Sequence, residues 1–285
     1  MVIRAARQAD PPSDAQVGIS AETLTTWRER AVRWQRRDLN RALASFTFIA
    51  DVTVLAEDCC FAGDVNTLVA RYDGLPFTAI AFYHRTPSNP QDATRLLSND
   101  DVSERVADLT RCLVAPGEAF ICLVDENDWP LLRAAYHVLK LYLEWQMSFC
   151  ADPLRLDPGE AVPLRPSDVP EMRALARQER MQAFDHNPLR RGPWYGIWRH
   201  GGLIAQGGTH LIMDQAAEIG NIVTARGYRR QGYGSQVVAA LLRELSVGEC
   251  SVFLHVLKEN EAAIALYEHL GFKRLRTMIL AQCCV

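Results

Sequence analysis

The sequence predicts an α+β protein in which helices flank a mixed β-sheet. Apolar residues make up 48% of the 285 residues and charged residues 23%, as in an average globular domain. Segments with the apolar period of a helix alternate with apolar segments of strand length. In the C-terminal half their order is β-α-β-β-β-α-β-α-β, which favours one sheet with helices packed against it.

The chain is expected to begin with a loose leader, residues 1–18, which is poor in apolar residues and contains Pro11-Pro12. From Ser20 a helix is predicted because apolar residues recur at a period near 3.6. The remaining elements of this half are a mostly apolar stretch 46–55, a hairpin of strands 67–72 and 77–84 around Gly74-Leu75-Pro76, a helix 102–113, a strand 119–124, a helix 131–138 opened by Trp129-Pro130, and a strand 142–149.

Residues 150–159 contain two prolines and a glycine and resemble a linker. The elements predicted after it are a strand 162–165, a helix 169–180, strands 194–199 and 203–213 around the turn His200-Gly201-Gly202, a strand 218–224, a helix 233–245, a strand 251–257, a helix 261–270 and a strand 272–280. The first half ends in the same hairpin, helix, strand, helix, strand order. That parallel suggests an internal duplication, although no residue-level repeat supports it.

Composition excludes several classes of protein. A net charge of −3 leaves no basic field for nucleic acid. No run approaches the roughly 18 apolar residues of a membrane-spanning helix, and the N-terminus has no apolar signal region. The eight cysteines include the adjacent pairs Cys59-Cys60 and Cys283-Cys284 but no C-x-x-C, so neither disulfides nor zinc is expected. A cytoplasmic location is the simplest expectation.

The segment with the strongest chemical signal is IGNIVTARGYRRQGYGS, residues 219–235. Its pattern Arg229-x-x-Gly232-x-Gly234 lies between a strand and a helix. Glycines permit close backbone approach, and the free N–H groups of a helix N-terminus favour a phosphate or pyrophosphate. Alternatively, the pattern is only a glycine turn that leads into a surface helix.

A second segment, NEAAIALYEHLGF from Asn260 to Phe272, follows the strand 251–257. With both segments in this order, the chain resembles the GNAT superfamily of acyl-CoA-dependent N-acyltransferases over about residues 162–280. Its order of elements also resembles the branch of glycine N-acyltransferase-like proteins, in which a degenerate N-terminal half precedes a catalytic half. The resemblance implies a GNAT fold in two tandem halves, with the leader 1–18, a degenerate domain 19–150 and a catalytic N-acetyltransferase domain 160–285.

The resemblance also implies site residues. Tyr267 is the expected general acid beside the thioester sulfur, Glu218 the first candidate for the general base and His210 the second. The pantetheine arm is expected to pair with a strand that splays from its neighbour and the pyrophosphate to lie on the glycine loop. The implied cofactor-binding residues are Ile222, Val223, Thr224, Arg229, Arg230, Gln231, Gly232, Tyr233, Gly234, Ser235 and Asn260.

Each candidate has a purely structural alternative. Tyr267 could be a core residue of its helix, and Glu218 a solvated charge at a strand end. His210, His255 and His269 are too scattered in sequence to suggest a metal set. Asp185-His186-Asn187 is first interpreted as a turn before Pro188, with a substrate role as the alternative. Trp194, Tyr195 and Trp198 are interpreted as core residues, one of which could line an acceptor pocket.

We therefore expect a cytoplasmic enzyme that moves acetyl from acetyl-CoA to a primary amine of a small molecule, without a metal, nucleic acid or membrane partner. The alternatives are a non-catalytic cofactor-sensing protein and a protein or peptide N-acetyltransferase. The N-terminal half is expected to shape the acceptor site. Because Asn99-Asp100-Asp101 would repel phosphate, one cofactor per chain is predicted. Both monomer and homodimer remain open.

Overall fold

The computed structural model describes residues 59–285 apart from 64–66, 74, 85–98, 214–215 and 247–249. The predicted leader, the helix from Ser20 and the apolar stretch 46–55 lie outside the described residues. No helix in the described ranges is long and apolar enough to cross a membrane.

The described residues form eleven strands and five α-helices. The strands are β1 (Cys59–Gly63), β2 (Thr67–Tyr72), β3 (Thr78–His84), β4 (Phe120–Asp125), β5 (His137–Phe149), β6 (Val162–Pro163), β7 (Trp194–Arg199), β8 (Gly202–Met213), β9 (Ala216–Thr224), β10 (Ser251–Leu257) and β11 (Phe272–Cys284). The helices are α1 (Asn99–Arg111), α2 (Trp129–Ala135), α3 (Val169–Gln178), α4 (Tyr233–Leu245) and α5 (Glu261–Leu270).

All eleven strands belong to one mixed sheet with the order β1-β2-β3-β4-β11-β5-β10-β9-β8-β7-β6. Two of its neighbouring pairs, β3–β4 and β9–β10, are parallel, and the others are antiparallel. The predicted mixed sheet flanked by helices is confirmed.

The centre of the sheet is an exchange of strands between the two halves of the sequence. The last strand, β11, lies between β4 and β5, and the last strand of the first half, β5, lies between β11 and β10. The long antiparallel β5–β11 pairing runs from Phe149–Phe272 to His137–Cys284. In the order β4-β11-β5-β10, each half has its last strand inserted next to a strand of the other half. Each half therefore completes the sheet of the other.

Two large hydrophobic cores lie on this sheet, besides a small cluster around Tyr72 and Ala79. One is built on residues of the first half together with Ile279, Ala281 and Cys283 of β11. The other is built on the second half together with Met147 of β5. Each core thus takes apolar side chains from the strand that the opposite half supplies, so burial as well as backbone pairing couples the halves.

The largest boundary error in the sequence analysis is at β5. The predicted helix 131–138 ends at Ala135, and the strand predicted to begin at Tyr142 begins at His137. Tyr136 is already extended, with φ −131° and ψ 149°. Alternating apolar residues between 137 and 143 pair with β11, and that pairing outweighs their helical propensity. Strand β1 was not predicted.

We expect Met147→Ala to lower the free energy of unfolding of the whole chain by about 2–5 kcal/mol, because Met147 is fully buried. Urea unfolding followed by tryptophan fluorescence and by circular dichroism should show one shifted transition. Leu139→Ala, on the same strand but 50% exposed, is the control and should change stability little. Two transitions, of which only one moves, would contradict the coupling of the halves.

Candidate active site

Strands β9 and β10 separate partway along their length, as the sequence analysis predicted. They pair in parallel only at Ser251–Ala216, Val252–Ala217 and Phe253–Glu218. Beyond Glu218, β9 continues to Thr224, still paired with β8 along its other edge. The backbone groups of residues 219–224 that face β10 are consequently open to a ligand that carries amide groups.

The glycine loop ends at the N-terminus of α4. Gly232 is the residue before the helix and has φ +85°, a left-handed conformation that glycine adopts without strain. A Cβ at Gly232 would meet nothing within 4 Å, so the loop is open on that side. The first turn of α4 contains no acidic residue. Its N–H groups have no partner within the helix, and with the helix dipole they fit a pyrophosphate.

Arg229 helps to hold the loop in place. Its guanidinium forms an ion pair with Glu179, at the C-terminal end of α3, and its Nε donates to the carbonyl of Thr224 at 3.1 Å. Glu179 also accepts the backbone N–H of Arg226 at 3.0 Å. Burial raises the pKa of Glu179, but the hydrogen bond from Arg226 and the Arg229 charge outweigh it and lower the pKa. The Arg229 side chain remains 53% exposed.

Glu218 forms a largely buried hydrogen-bonded pair with His255 of β10, which becomes a charge pair when the ring is protonated. Its Oε1 lies 2.9 Å from Nδ1 of His255 and 3.8 Å from Nδ1 of His210. The other ring nitrogen of His255, Nε2, lies 3.1 Å from Nε2 of Gln146 on β5. With this amide orientation His255 is the neutral tautomer, whose Nδ1–H donates to Glu218. Rotation of the amide by 180° would let its oxygen accept from a protonated ring.

The pKa values of this pair move apart. For His255, burial lowers the pKa, but the charge and hydrogen bond of Glu218 outweigh it, and the net shift is upward. For Glu218, burial raises the pKa, and the charge of His255 with the contacts of both imidazoles more than reverses this, so the pKa lies well below its usual range. Glu218 is therefore a carboxylate that stabilises an imidazolium next to it.

Two β-bulges position His210 and Asn221. The β8–β9 register passes from Gln206–Val223 to Gly208–Gly220 and from Thr209–Ile219 to Leu211–Glu218, so each strand contributes one extra residue. Asn221 takes a left-handed φ of 53° in the first bulge. Its Nδ2 lies 2.5 Å from Nε2 of His210, the extra residue of the second bulge. A Cβ at Gly220 would come within 2.5 Å of the His210 ring, so glycine is required there.

The first half of the chain contributes a second carboxylate. Glu144 of β5 lies opposite Leu257 of β10 and Met278 of β11. Burial raises the pKa of Glu144, the charges of His255 and His210 lower it, Glu218 raises it, and the net direction is upward. Two carboxylates and two imidazoles thus interact electrostatically at the strand exchange. Among the described residues, no group of three or more His, Cys, Asp or Glu could hold a metal ion.

Tyr267 and Asn260 lie at the opening between the splayed strands. Tyr267, on α5, is 8% exposed, packs edge-on against Phe272 at 5.7 Å between ring centroids, and has its pKa raised by burial. Its hydroxyl is therefore protonated throughout the neutral range. The side chain of Asn260 accepts from the N–H of Ala263 at 3.2 Å and caps α5.

These side chains line one cavity of about 400 Å³, here called the central cavity, within the size range of small-molecule sites. It contains Glu218, His255, His210, Asn221, Tyr267 and Asn260, and also Glu144 and residues of β3 and β4. Both halves of the chain therefore form its wall.

Asp185 is both a turn residue and a contact between the halves. Its Oδ1 accepts the N–H of Asn187 at 2.8 Å, which confirms the predicted turn, and its Oδ2 accepts the hydroxyl of Tyr72 on β2 at 2.7 Å. Asp185 and Trp194 also line the central cavity. Tyr195 instead donates to Glu244 at 3.3 Å, away from the cavity.

The structure therefore brings together Glu218, His210 and Tyr267, which the sequence analysis singled out. It also adds His255, Gln146, Asn221 and Glu144, which that analysis did not place in the site. The composition of β10, SVFLHVL, was a usable signal for His255, because it places one histidine in an otherwise apolar run of strand residues. Glu144 had no local signal, since only the strand exchange brings β5 beside β10.

Comparison with known proteins identifies the family to which this chain is similar. Residues 161–272 match the profile of the acetyltransferase (GNAT) family. The [ribosomal protein bS18]-alanine N-acetyltransferase of Escherichia coli K12 is 34% identical over 115 residues, 38% of this chain and 77% of that protein. N-alpha-acetyltransferase 30 of Dictyostelium discoideum is 33% identical over 79 residues, 27% of this chain and 42% of that protein.

Two solved structures are similar over a larger part of the chain. A tandem GNAT protein from the clavulanic acid biosynthesis pathway has a TM-score of 0.63 at 15% identity, covering 92% of this chain and 94% of that one. A GNAT-family acetyltransferase from Novosphingobium aromaticivorans has a TM-score of 0.58 at 23% identity, covering 76% and 88%. At these identities the likeness concerns the fold alone.

This chain belongs to the GNAT family of acetyltransferases. It is an N-acetyltransferase, and the enzyme class and fold predicted from the sequence are confirmed.

We expect Glu218→Gln to lower the pKa of His255, because it removes the charge that raised the pKa and leaves the burial that lowers it. NMR titration of the histidine ring protons, with His255→Gln to assign the signal, measures this shift. Glu268→Gln removes an exposed carboxylate that pairs with Arg274 and should leave the His255 titration unchanged. An unchanged or higher pKa in Glu218→Gln would contradict the assigned charge pair.

Proposed function

We propose that this N-acetyltransferase transfers acetyl from acetyl-CoA to a primary amine of a small molecule. The observation that carries the proposal is the central cavity, because the Glu218–His255 pair and Tyr267 line one space beside the splayed strands. Because the wall of that space includes residues of both halves, it fits a small acceptor better than an extended polypeptide.

We place acetyl-CoA along the open edge of β9 and on the glycine loop, as the resemblance to the family implies. The open edge of β9 at Ile222, Val223 and Thr224 would pair with the pantetheine amides, and Asn260 would lie beside this arm. The loop residues Arg229 to Ser235 would hold the pyrophosphate. Glu179 anchors Arg229, and Arg230, Gln231 and Tyr233 would surround the phosphates. When bound, acetyl-CoA supplies the thioester carbonyl that the amine attacks.

The amine must lose a proton before it can act as a nucleophile. We assign that proton to Nε2 of His255, with the Gln146 amide rotated so that its oxygen accepts from the protonated ring; the charge of Glu218 raises the pKa of His255 and stabilises the protonated form. Glu218 then acts through His255, as a positioning and charge-stabilising residue. Glu144 adds negative charge that attracts an ammonium group. His210, which is hydrogen-bonded to Asn221, is the second imidazole near Glu218 after that of His255.

Tyr267 is assigned as the acid that protonates the departing CoA thiolate. Its burial keeps the hydroxyl protonated, so it has a proton to give at neutral pH. Backbone N–H groups of the open β9 edge would stabilise the negative oxygen that develops on the carbonyl.

The named relatives favour one other class of acceptor. By their names, one acts on an alanine of a ribosomal protein and the other on an α-amino group. A protein N-terminus is a primary amine, so the same residues would serve it. Turnover of small amines against turnover of a library of peptides with free N-termini separates the two acceptor classes.

We expect Gly234→Asp to abolish the rise in melting temperature that acetyl-CoA causes, because a carboxylate in the first turn of α4 repels the pyrophosphate. Its Cβ has room, since the nearest atom is 3.5 Å away, and aspartate at a helix N-terminus stabilises the helix itself. Wild type with acetyl-CoA at about 100 times its Kd should gain about 2.7 kcal/mol. Gly234→Ala is the matched control and should keep this gain. An undiminished shift in Gly234→Asp would mean that the pyrophosphate lies elsewhere.

We expect Tyr267→Phe to lower kcat by roughly 10²–10⁴-fold while the acetyl-CoA thermal shift is retained, because the change removes one proton donor and little volume. Steady-state kinetics with a thiol reagent that detects free CoA measures the loss. Tyr195→Phe loses an exposed hydroxyl bond to Glu244 and should retain full activity. A kcat within a few-fold of wild type in Tyr267→Phe would rule out its role as the acid.

A further inference from the structure

The two ends of the central cavity differ in chemistry. All charged or titratable side chains of the described wall come from the second half and from β5. Besides Tyr267 they are Glu144, Asp185, Arg191, His210, Glu218 and His255. The other strands of the first half, whose part of the wall is here called the apolar end, contribute none; Asp185 and Arg191 of the second half meet its edge at Tyr72, the partner of Ala79. The apolar end is lined by Leu75, Phe77, Ala79, Ala81, Ile121 and Leu123.

The apolar end, like the opening between β9 and β10, here called the donor opening, lies where two parallel strands separate. Strands β3 and β4 pair in parallel only at Thr78–Phe120 and Ala79–Ile121, and β3 then continues to His84 without further pairing to β4 within the described residues. The first half therefore repeats the splay of β9 and β10. Its helix α1, however, has Asp100 and Asp101 in the first turn, where a pyrophosphate would be repelled.

Small and half-buried side chains leave room at this end. Ile121 and Leu123 of β4 are only partly buried and face the cavity, whereas their neighbours Cys122 and Val124 pack into the core. Across the opening, β3 presents Ala79 and Ala81. A wall formed by the apolar side chains of β3 and β4 binds hydrocarbon through the hydrophobic effect.

The order of the strands determines which end of an acceptor molecule lies near the donor opening and which lies at the apolar end. From β9 the sheet passes through β10, β5, β11 and β4 to β3, so Glu144 stands between the donor opening and the apolar end. At about 4.8 Å per strand, β4 and β3 lie roughly 10–14 Å from β5. An ammonium at Glu144 and Glu218 therefore leaves space for a hydrocarbon body of that length.

We propose that the acceptor is an amphiphilic amine, with its amino group at the carboxylates and a hydrocarbon chain or ring system in the splay between β3 and β4. This rests on the proposed small-molecule function and specifies its substrate class. The splay between β3 and β4 thus serves as the acceptor's apolar subsite. A long acyl chain on the donor would have to pass the carboxylates to reach it, and burying hydrocarbon against charges is unfavourable.

The test is acetyl-CoA turnover with butylamine, hexylamine, octylamine and decylamine, in wild type, Ala81→Leu and Ala134→Leu. In wild type, kcat/KM should rise by about fourfold per added methylene until the apolar end is filled. Ala81→Leu should stop this rise at a shorter chain, with at least a tenfold loss for decylamine and little change for butylamine. Ala134→Leu, on the exposed side of α2, is the control for stability and should follow wild type.

The outcomes separate the two proposals. Turnover of every amine with no dependence on chain length would overturn this inference and leave the small-molecule function standing. No turnover of any amine, with acetylation of peptide N-termini in the same assay, would remove the small-molecule function and the inference with it. If Ala81→Leu instead lowers turnover of octanoyl-CoA and leaves the amine series unchanged, the apolar end holds the acyl chain, and the inference is wrong.

Discussion

The pairing of β5 with β11 is the constraint on which the rest of the molecule depends. These strands form one continuous ladder at the centre of the sheet, and each comes from the opposite half of the sequence. Because β5 lies directly beside β10, Gln146 and Glu144 reach His255 and its surroundings. The proton-handling end of the cavity is therefore assembled by tertiary pairing between segments more than a hundred residues apart.

Burying several ionisable groups together is costly unless they are paired. Around Glu218 these groups are paired. The imidazoles of His255 and His210 both lie near Oε1 of the carboxylate, and the amide of Gln146 hydrogen-bonds to Nε2 of His255. The two β-bulges serve the same arrangement, since a regular ladder would point His210 and Asn221 to different places. Local irregularity in β8 and β9 and long-range pairing in β5 thus converge on one group of charges.

Much of the second half was predictable from sequence because its signals are local. The glycine turn into α4, the Asn260 cap of α5 and the buried Tyr267 each depend on residues within one or two turns. Strand exchange has no such signature, and neither the position of Glu144 nor the β5 boundary could be read from residues 131–149 alone. His255 was set aside because histidines distant in sequence give no indication of which carboxylate they meet.

The mutual completion of the sheet has a consequence for the connection between the halves. Residues 151–160 are mostly exposed and lead from the end of β5 to β6 at the far edge of the sheet. Since β5 is bonded on both sides by strands that follow this connection, cleavage within it would leave two fragments interlocked by their backbones. The covalent link is thus dispensable for cohesion once the chain has folded, and the two halves would behave as an intramolecular counterpart of a strand-swapped dimer.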